Sequence, residues 1–291
     1  MNLHRIGIIG GSGLGDALTA RLSHFTMEDI DTPFGKPSAP ILTGTIGGRP
    51  VAFLSRHGTN HTINPSQVPY AANIFALKKL GVTTLISSAA VGSLRLKLKP
   101  KELVLADQFI DKTHKRQSSF FDSFGAVHVE FAQPACSRLR ERLMKAGEKI
   151  NAKIHPAGTY VCMEGPQFST EAESHMHRQW GGDLIGMTAM PEAKLAREAQ
   201  MCYALVALIS DYDCWRKTPE GKDKQSLLQE IIGNLNEATQ NAIELIETLL
   251  ESKGDLVCDD CACRRSLDLA VWTPKEMISP QQQKQLGVLF E

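Results

Sequence analysis

The sequence predicts an α/β fold, one main domain around a largely parallel or mixed central sheet. Three observations point there. Short apolar, β-branched runs recur along the chain, helical-period segments separate them, and the 291 residues suffice to bury a sizeable core. The runs at 6–9, 51–54, 83–88, 102–110, 159–163, 183–186 and 204–210 read as strands because they are short and rich in Val, Ile, Leu and Thr. Between them, 69–80, 134–150, 169–180 and 191–201 carry helical periodicity. The stretch 224–253 is the clearest helix, with Leu227, Ile231, Leu235, Ala238, Ala242, Leu245 and Leu249 along one face. The main domain is expected over residues 1–253. Residues 254–291, with "CDDCAC" and the polar "SPQQQKQ", form a C-terminal extension whose role the sequence leaves unread.

Composition narrows the function classes. Hydrophobic residues make up 42% and charged residues 22%, as in an ordinary soluble protein. Lys+Arg and Asp+Glu both number 32, so the basic excess of a nucleic-acid binder is missing. No apolar stretch approaches the roughly 20 residues that span a bilayer. The N-terminus runs from a short apolar segment straight into glycines, unlike a signal peptide. A cytoplasmic protein without nucleic-acid or membrane partners is expected. Of the seven cysteines, Cys136, Cys162, Cys202 and Cys214 stand singly in or beside apolar segments and are expected to be buried, reduced thiols.

Three strand ends carry anion-friendly residues. "GIIGGSGLGD" follows the first strand, but it fails the dinucleotide fingerprint because Asp16 occupies the third glycine position. What remains is a tight turn whose N–H groups and Ser12 hydroxyl suit an anion. "SRHGTNH" supplies Arg56, a planar fork suited to phosphate, with His57 and His61 as further donors. "SSAAVGSL" ends a third strand in small residues that let a ligand approach the backbone. The fourth strand end is the run "ALISDYDCW". An extended chain points Asp211 and Asp213 the same way, where desolvation and mutual repulsion favour keeping a proton on one of them.

These segments, with "DTPFGKPS", "RHGTNHTINPSQVPYAANIFALKKLG", "DQFIDKT", "EGPQFST", "MTAMPEAKLARE" and "SDYDCW", resemble the 5'-methylthioadenosine phosphorylases of the trimeric purine nucleoside phosphorylase superfamily, in the same order from about residue 6 to 250. The resemblance implies a nucleoside phosphorylase-like α/β fold with a mixed, distorted central sheet flanked by helices, and a homotrimer. It implies no metal and no organic cofactor, inorganic phosphate being a co-substrate beside the nucleoside. Residue by residue it assigns Ser12, Arg56, His57, the backbone near Ala90, and Thr188 to phosphate. Phe168, Ser169, Asp211 and Asp213 fall to the base. His61, Met187, Leu227 and Leu228 fall to the ribose and 5' group, with His128 reaching in from a neighbouring subunit. Asp211 is the expected general acid at purine N7. Asp211, together with Ser169 after Phe168, implies a 6-aminopurine, since relatives specific for 6-oxopurines carry asparagine and glutamate there.

Two features leave room for other readings. Lys222 and Lys224 stand where relatives often carry valine near the 5' pocket, and Ala89 replaces a frequent phosphate-binding Thr or Ser. The alternative is a phosphorylase of broader or shifted specificity, taking adenosine or 6-oxopurine nucleosides such as inosine or methylthioinosine. A non-catalytic nucleoside-binding or scaffold protein on the same fold is a further class. His24, His114, His155, His175 and His177 are expected to be surface or structural residues. For Cys258, Cys261 and Cys263, free thiols are expected first. A Cys261–Cys263 disulfide like that of some heat-loving relatives comes second, and metal last, because no fourth Cys or His lies nearby in the sequence.

Overall fold

Residues 5–217, 223–256 and 260–290 are described in the structure, a computed structural model, apart from the side chains of Ser12, Asp16 and Lys275. The chain opens with β1 (Arg5–Gly10), α1 (Ser12–Thr19), β2 (Ser23–Glu28), β3 (Ile41–Ile46), β4 (Arg49–Ser55), α2 (Tyr70–Lys79) and β5 (Val82–Ser93). It continues through β6 (Leu103–Ala106), β7 (Gln108–Asp111), α3 (Ser137–Gly147), β8 (Ile154–His155), β9 (Thr159–Cys162) and α4 (Glu171–Gln179). It closes with β10 (Leu184–Gly186), α5 (Ala189–Glu198), β11 (Cys202–Tyr212), α6 (Lys224–Glu251) and α7 (Pro280–Leu286).

All these strands join one mixed sheet. Its main path runs β2-β3-β4-β1-β5-β10-β9-β7, and β11, β6 and β8 branch from β5. The branching comes from the length of β5. One edge pairs parallel with β1 as far as Ser87 and then antiparallel with β10 at Gly92 and Ser93, while the other pairs parallel with β11. This fork is the distortion that the family resemblance implied.

Period-2 alternation divides the core between the two faces of the sheet. On β11, Tyr203, Leu205, Ala207 and Ile209 pack with α2 and α5, while Cys202, Ala204, Val206 and Leu208 pack with α1, α3 and α6. β4 divides in the same way, Ala52 and Leu54 against Val51 and Phe53. Both faces being covered, the central strands read as continuous apolar runs, which makes them visible in the sequence. The edge strand β2 is exposed or half-buried throughout and gives no such signal. The expected strand 102–110 is in fact two strands that pair with different neighbours, β6 with β11 and β8, β7 with β9.

Residues 260–290 pack onto the main domain. Leu267, Ala270, Ile278, Leu286 and Leu289 join the α2/α5 side of the core, and Cys261 and Cys263 join the other. Val271 bridges Val127, and the Ser266 hydroxyl donates to the Arg197 carbonyl at 2.6 Å. α7 starts with a reciprocal capping box between Ser279 and Gln282, with proline in the first turn.

The cysteines correct two expectations. Cys214 is exposed rather than buried, because it follows β11 in a surface turn. Cys136 and Cys202 are buried as expected but not single: their sulfurs lie with those of Cys261 and Cys263, all four within 4.8 Å of one another. A fourth ligand is lacking near the "CAC" segment only along the sequence, not in space. Cys258 lies outside the described residues.

Candidate active site

The carboxyl ends of β1, β4, β5 and β11 and the start of α5 meet at one edge of the sheet. After β1 the chain turns at Gly11 and enters α1 at Ser12, so the turn is a helix N-terminus whose free N–H groups favour an anion. The sequence alone predicts only a glycine turn there.

Arg56, one residue beyond β4, is fully buried. Its Nε donates to Glu192 Oε2 at 2.9 Å, Nη2 to Ser87 Oγ at 2.6 Å and Glu192 Oε1 at 3.3 Å, and Nη1 to the Ser88 carbonyl at 2.9 Å. Ser88 lies just past the last β1 partner of β5, so the guanidinium reaches β5 where that pairing has ended. Of five N–H groups, one on Nη1 has no protein acceptor among the described residues and is available to a ligand. Glu192 also accepts from Ser87 Oγ at 2.5 Å and Tyr203 Oη at 3.0 Å. It is the hub of this buried network, and sequence reasoning missed it. The one signal was a glutamate in an otherwise small and apolar helix start.

His57 departs from its expected role as a donor. Burial and the neighbouring Arg56 charge lower its pKa to about 4, so the ring is neutral near pH 7. Its Nδ1–H donates to the Ile63 carbonyl at 2.9 Å, which leaves Nε2 as an acceptor. An acceptor beside an arginine suits a protonated phosphate oxygen. His61 is exposed and stacks on His57 with centroids 4.3 Å apart. Ala89 is buried in the core, whereas Ala90 is exposed. Thr188 is buried at the start of α5, and its N–H donates to Tyr160 Oη at 3.2 Å.

The second half of the site lies at the end of β11. A bulge at Ser210 breaks the pairing with β5 between Ile209 and Asp211, and the strand ends at Tyr212. The bulge precedes both aspartates, so they keep the i, i+2 spacing read from the sequence, with Asp213 just past the strand's end. Burial foremost, and the charge of Asp213, raise the Asp211 pKa to about 6 against a lowering hydrogen bond from Ser210. Asp213 is buried, and its Oδ2 has no hydrogen-bond partner among the described residues. A buried acceptor left open in this way awaits a donor. Gly92 faces it: a Cβ there would stand 3.4 Å from Asp213 Cβ and 3.0 Å from Ile185. His177, expected to be a surface or structural residue, is buried, and neither ring nitrogen has a hydrogen-bond partner among the described residues.

The loop before α4 borders these carboxylates. Phe168 is 85% exposed, and the Ser169 carbonyl accepts from Cys214 Sγ at 3.3 Å. Met187 packs on Gly165, which has φ +73°, and a Cβ there would collide with the Met187 sulfur. Arg116, also missed, holds this corner: it donates to the Met187 and Met190 carbonyls at 2.6 Å each and pairs with Glu164. Leu227 is half-buried and Leu228 exposed on the first turn of α6 beside exposed Lys224, while Lys222 lies outside the described residues. His128 rests against the C-terminal segment. Its N–H donates to the Ala270 carbonyl at 2.9 Å, and its ring stands edge-on to Trp272.

Comparison with known proteins identifies the family. The family model described as the phosphorylase superfamily matches residues 5–251. The S-methyl-5'-thioadenosine phosphorylase of Gloeobacter violaceus is 44% identical, covering 97% of this chain and 93% of its own, and that of Bradyrhizobium diazoefficiens is 44% identical at 98% and 96%. Among solved structures, a methylthioadenosine phosphorylase from an antarctic soil metagenomic library superposes with TM-score 0.87 at 40% identity, over the whole of both chains. A mutant of the Schistosoma mansoni adenosine/methylthioadenosine phosphorylase, in complex with methylthioadenosine, gives TM-score 0.84 at 31% identity, covering 93% and 99%. The chain belongs to the phosphorylase superfamily and, within it, to the S-methyl-5'-thioadenosine phosphorylases.

Proposed function

We propose that the chain cleaves 5'-methylthioadenosine with inorganic phosphate, giving adenine and 5-methylthioribose 1-phosphate. The observation that carries this reading is the pairing, at one sheet edge, of a protonatable Asp211 and an open Asp213 acceptor with the Arg56/His57 anion corner. Phosphorolysis develops positive charge on the ribose and negative charge on the departing purine. The nucleophile is phosphate itself, so no protein nucleophile is required, and the reaction uses no cofactor.

Phosphate binds at the N-terminus of α1 with Ser12, the remaining Arg56 N–H, the backbone at Ala90, and Thr188. His57 Nε2 accepts from its hydroxyl. Met187 and His61 border the ribose, Phe168 stacks on the purine, and Ser169 lies at the base edge. Asp211 gives its proton to N7, and Asp213 accepts from the 6-amino group. A 6-oxo group would set acceptor against acceptor and lose that hydrogen bond. Leu227 and Leu228 supply apolar surface for the 5'-methylthio group. His128 of a neighbouring subunit completes the pocket, which makes the working form a homotrimer acting in purine and methionine salvage in the cytoplasm.

Base release from methylthioadenosine, adenosine and inosine, each with and without phosphate, tests the reading. Phosphate-dependent adenine release, fastest from methylthioadenosine, is expected. Hypoxanthine release from inosine alone would overturn the assignment of the aspartate pair, and phosphate-independent release would overturn the anion site. Phe168→Ala is expected to raise the nucleoside KM about tenfold with a smaller change in kcat, since base–aromatic stacking contributes about 1–3 kcal/mol. Steady-state kinetics at saturating phosphate check this.

A further inference from the structure

Four thiols from three distant parts of the chain converge outside the active site. Cys136 caps the N-terminus of α3, Cys202 opens β11, and Cys261 and Cys263 flank the start of the short helical turn Ala262–Arg265 in the extension. All four are buried, and their sulfurs lie within 4.8 Å of one another. Cys136 and Cys261 are 3.8 Å apart. A tetrahedral zinc with Zn–S bonds of about 2.3 Å places its sulfurs about 3.8 Å from each other, so the cluster has the size of a closed tetrathiolate site. We propose that Cys136, Cys202, Cys261 and Cys263 bind one structural zinc ion that fastens the C-terminal extension to the main domain.

The surroundings suit the chemistry. Binding breaks four S–H bonds, forms four Zn–S bonds and releases four protons to solvent, leaving a site of net charge −2. The four thiols are buried together, and Cys136 stands at the N-terminus of α3, whose unpaired N–H groups favour negative charge. The ligand set is all sulfur and leaves no open position, so the ion is structural and stands apart from phosphorolysis. Its effect reaches further along the chain. Just beyond Cys263, Ser266 bonds to α5, Ala270 and Trp272 bond to His128 and Ala126, and Thr273 accepts from Ala126. The zinc thereby pins the segment on which the His128 loop rests.

The full chain, purified with reductant and without chelator, tests this by metal analysis. One zinc per chain is expected, lost in Cys202→Ser and in Cys261→Ser and kept in Cys214→Ser. Cobalt substitution of the wild-type chain is expected to give sulfur-to-cobalt charge-transfer bands and the intense visible bands of a tetrahedral site. This keeps the test open if the serine variants fail to fold. Mercurial titration of the wild-type protein should release zinc in step with thiol modification. A zinc-free chain whose four cysteines all react as thiols on denaturation would overturn the proposal. So would an intact mass lacking two hydrogens for each pair, which would mean disulfides. Bound metal without sulfur charge transfer to cobalt would overturn it as well.

Discussion

Replacing Asp211 by asparagine is expected to lower kcat on methylthioadenosine by roughly 10²–10⁴-fold, the usual contribution of a general acid, with KM changed only a few fold. Burial and Asp213 bring the Asp211 pKa up to about 6, so the free enzyme holds the acid form at pH values below that. The kcat/KM of the wild type should therefore fall as pH rises through about 6, and this limb should be absent in D211N. Ser210 supports both states of the carboxyl. Its hydroxyl lies 2.5 Å from Asp211 Oδ1 and 3.2 Å from the Val91 carbonyl, so it donates to the carboxylate, or accepts from the acid while donating to Val91.

Stability should move the other way. A carboxyl whose pKa is raised in the folded state binds more protons there than in the unfolded chain between pH 3.8 and about 6. It therefore costs stability as pH rises through that window, and the cost persists above it. D211N escapes this cost, so relative to wild type it should melt higher at pH 7.5 than at pH 4. A variant more stable and far less active separates a catalytic role from a structural one. Undiminished kcat in D211N would remove Asp211 from the reaction.

Much of this site was legible in the sequence because its chemistry sits at the ends of buried strands. The apolar run of β11 announced a central strand, and two carboxylates at its end were out of place enough to demand an explanation. The bulge at Ser210 was not legible, since nothing local marks it and it depends on pairing with β5. Glu192 was hidden for a different reason. A glutamate in a helix ordinarily faces solvent, and its partner Arg56 lies 136 residues away. The cysteine cluster escaped for the same reason, its members being gathered from positions 136, 202 and 261–263 by the fold alone. The exposed strand β2 lacks the apolar run that identified the others. His57 reads in the sequence as a donor, whereas its tautomer is set by the Ile63 carbonyl, which leaves Nε2 as an acceptor.

Glu192→Gln is expected to destabilise the chain by about 3–5 kcal/mol, the cost of leaving one partner of a buried ion pair without its counter-charge. Arg56 and Glu192 each keep only about 2% of their side-chain surface in solvent, so water cannot replace the lost carboxylate. The amide oxygen can take over from Oε1, still accepting from Ser87 and Tyr203. Its NH₂ group then meets Arg56 Nε–H donor to donor. For a chain of this size each kcal/mol shifts the melting temperature by roughly 2–4 °C, so a fall of about 6 °C or more should appear in calorimetry. The phosphate KM should rise as well, because the guanidinium that offers its last N–H to the anion is no longer held at Nε. Arg56→Met combined with Glu192→Gln separates the two effects. Removing both charges abolishes the desolvated, unpaired cation, so the double variant should recover much of the stability lost by the single one. Phosphate-dependent turnover should not return, since the donor is gone. If the double variant melts no higher than Glu192→Gln alone, the destabilisation does not come from leaving the buried Arg56 charge unpaired. Turnover surviving in the double variant would mean that phosphate is held by the α1 N-terminus and Thr188 without Arg56.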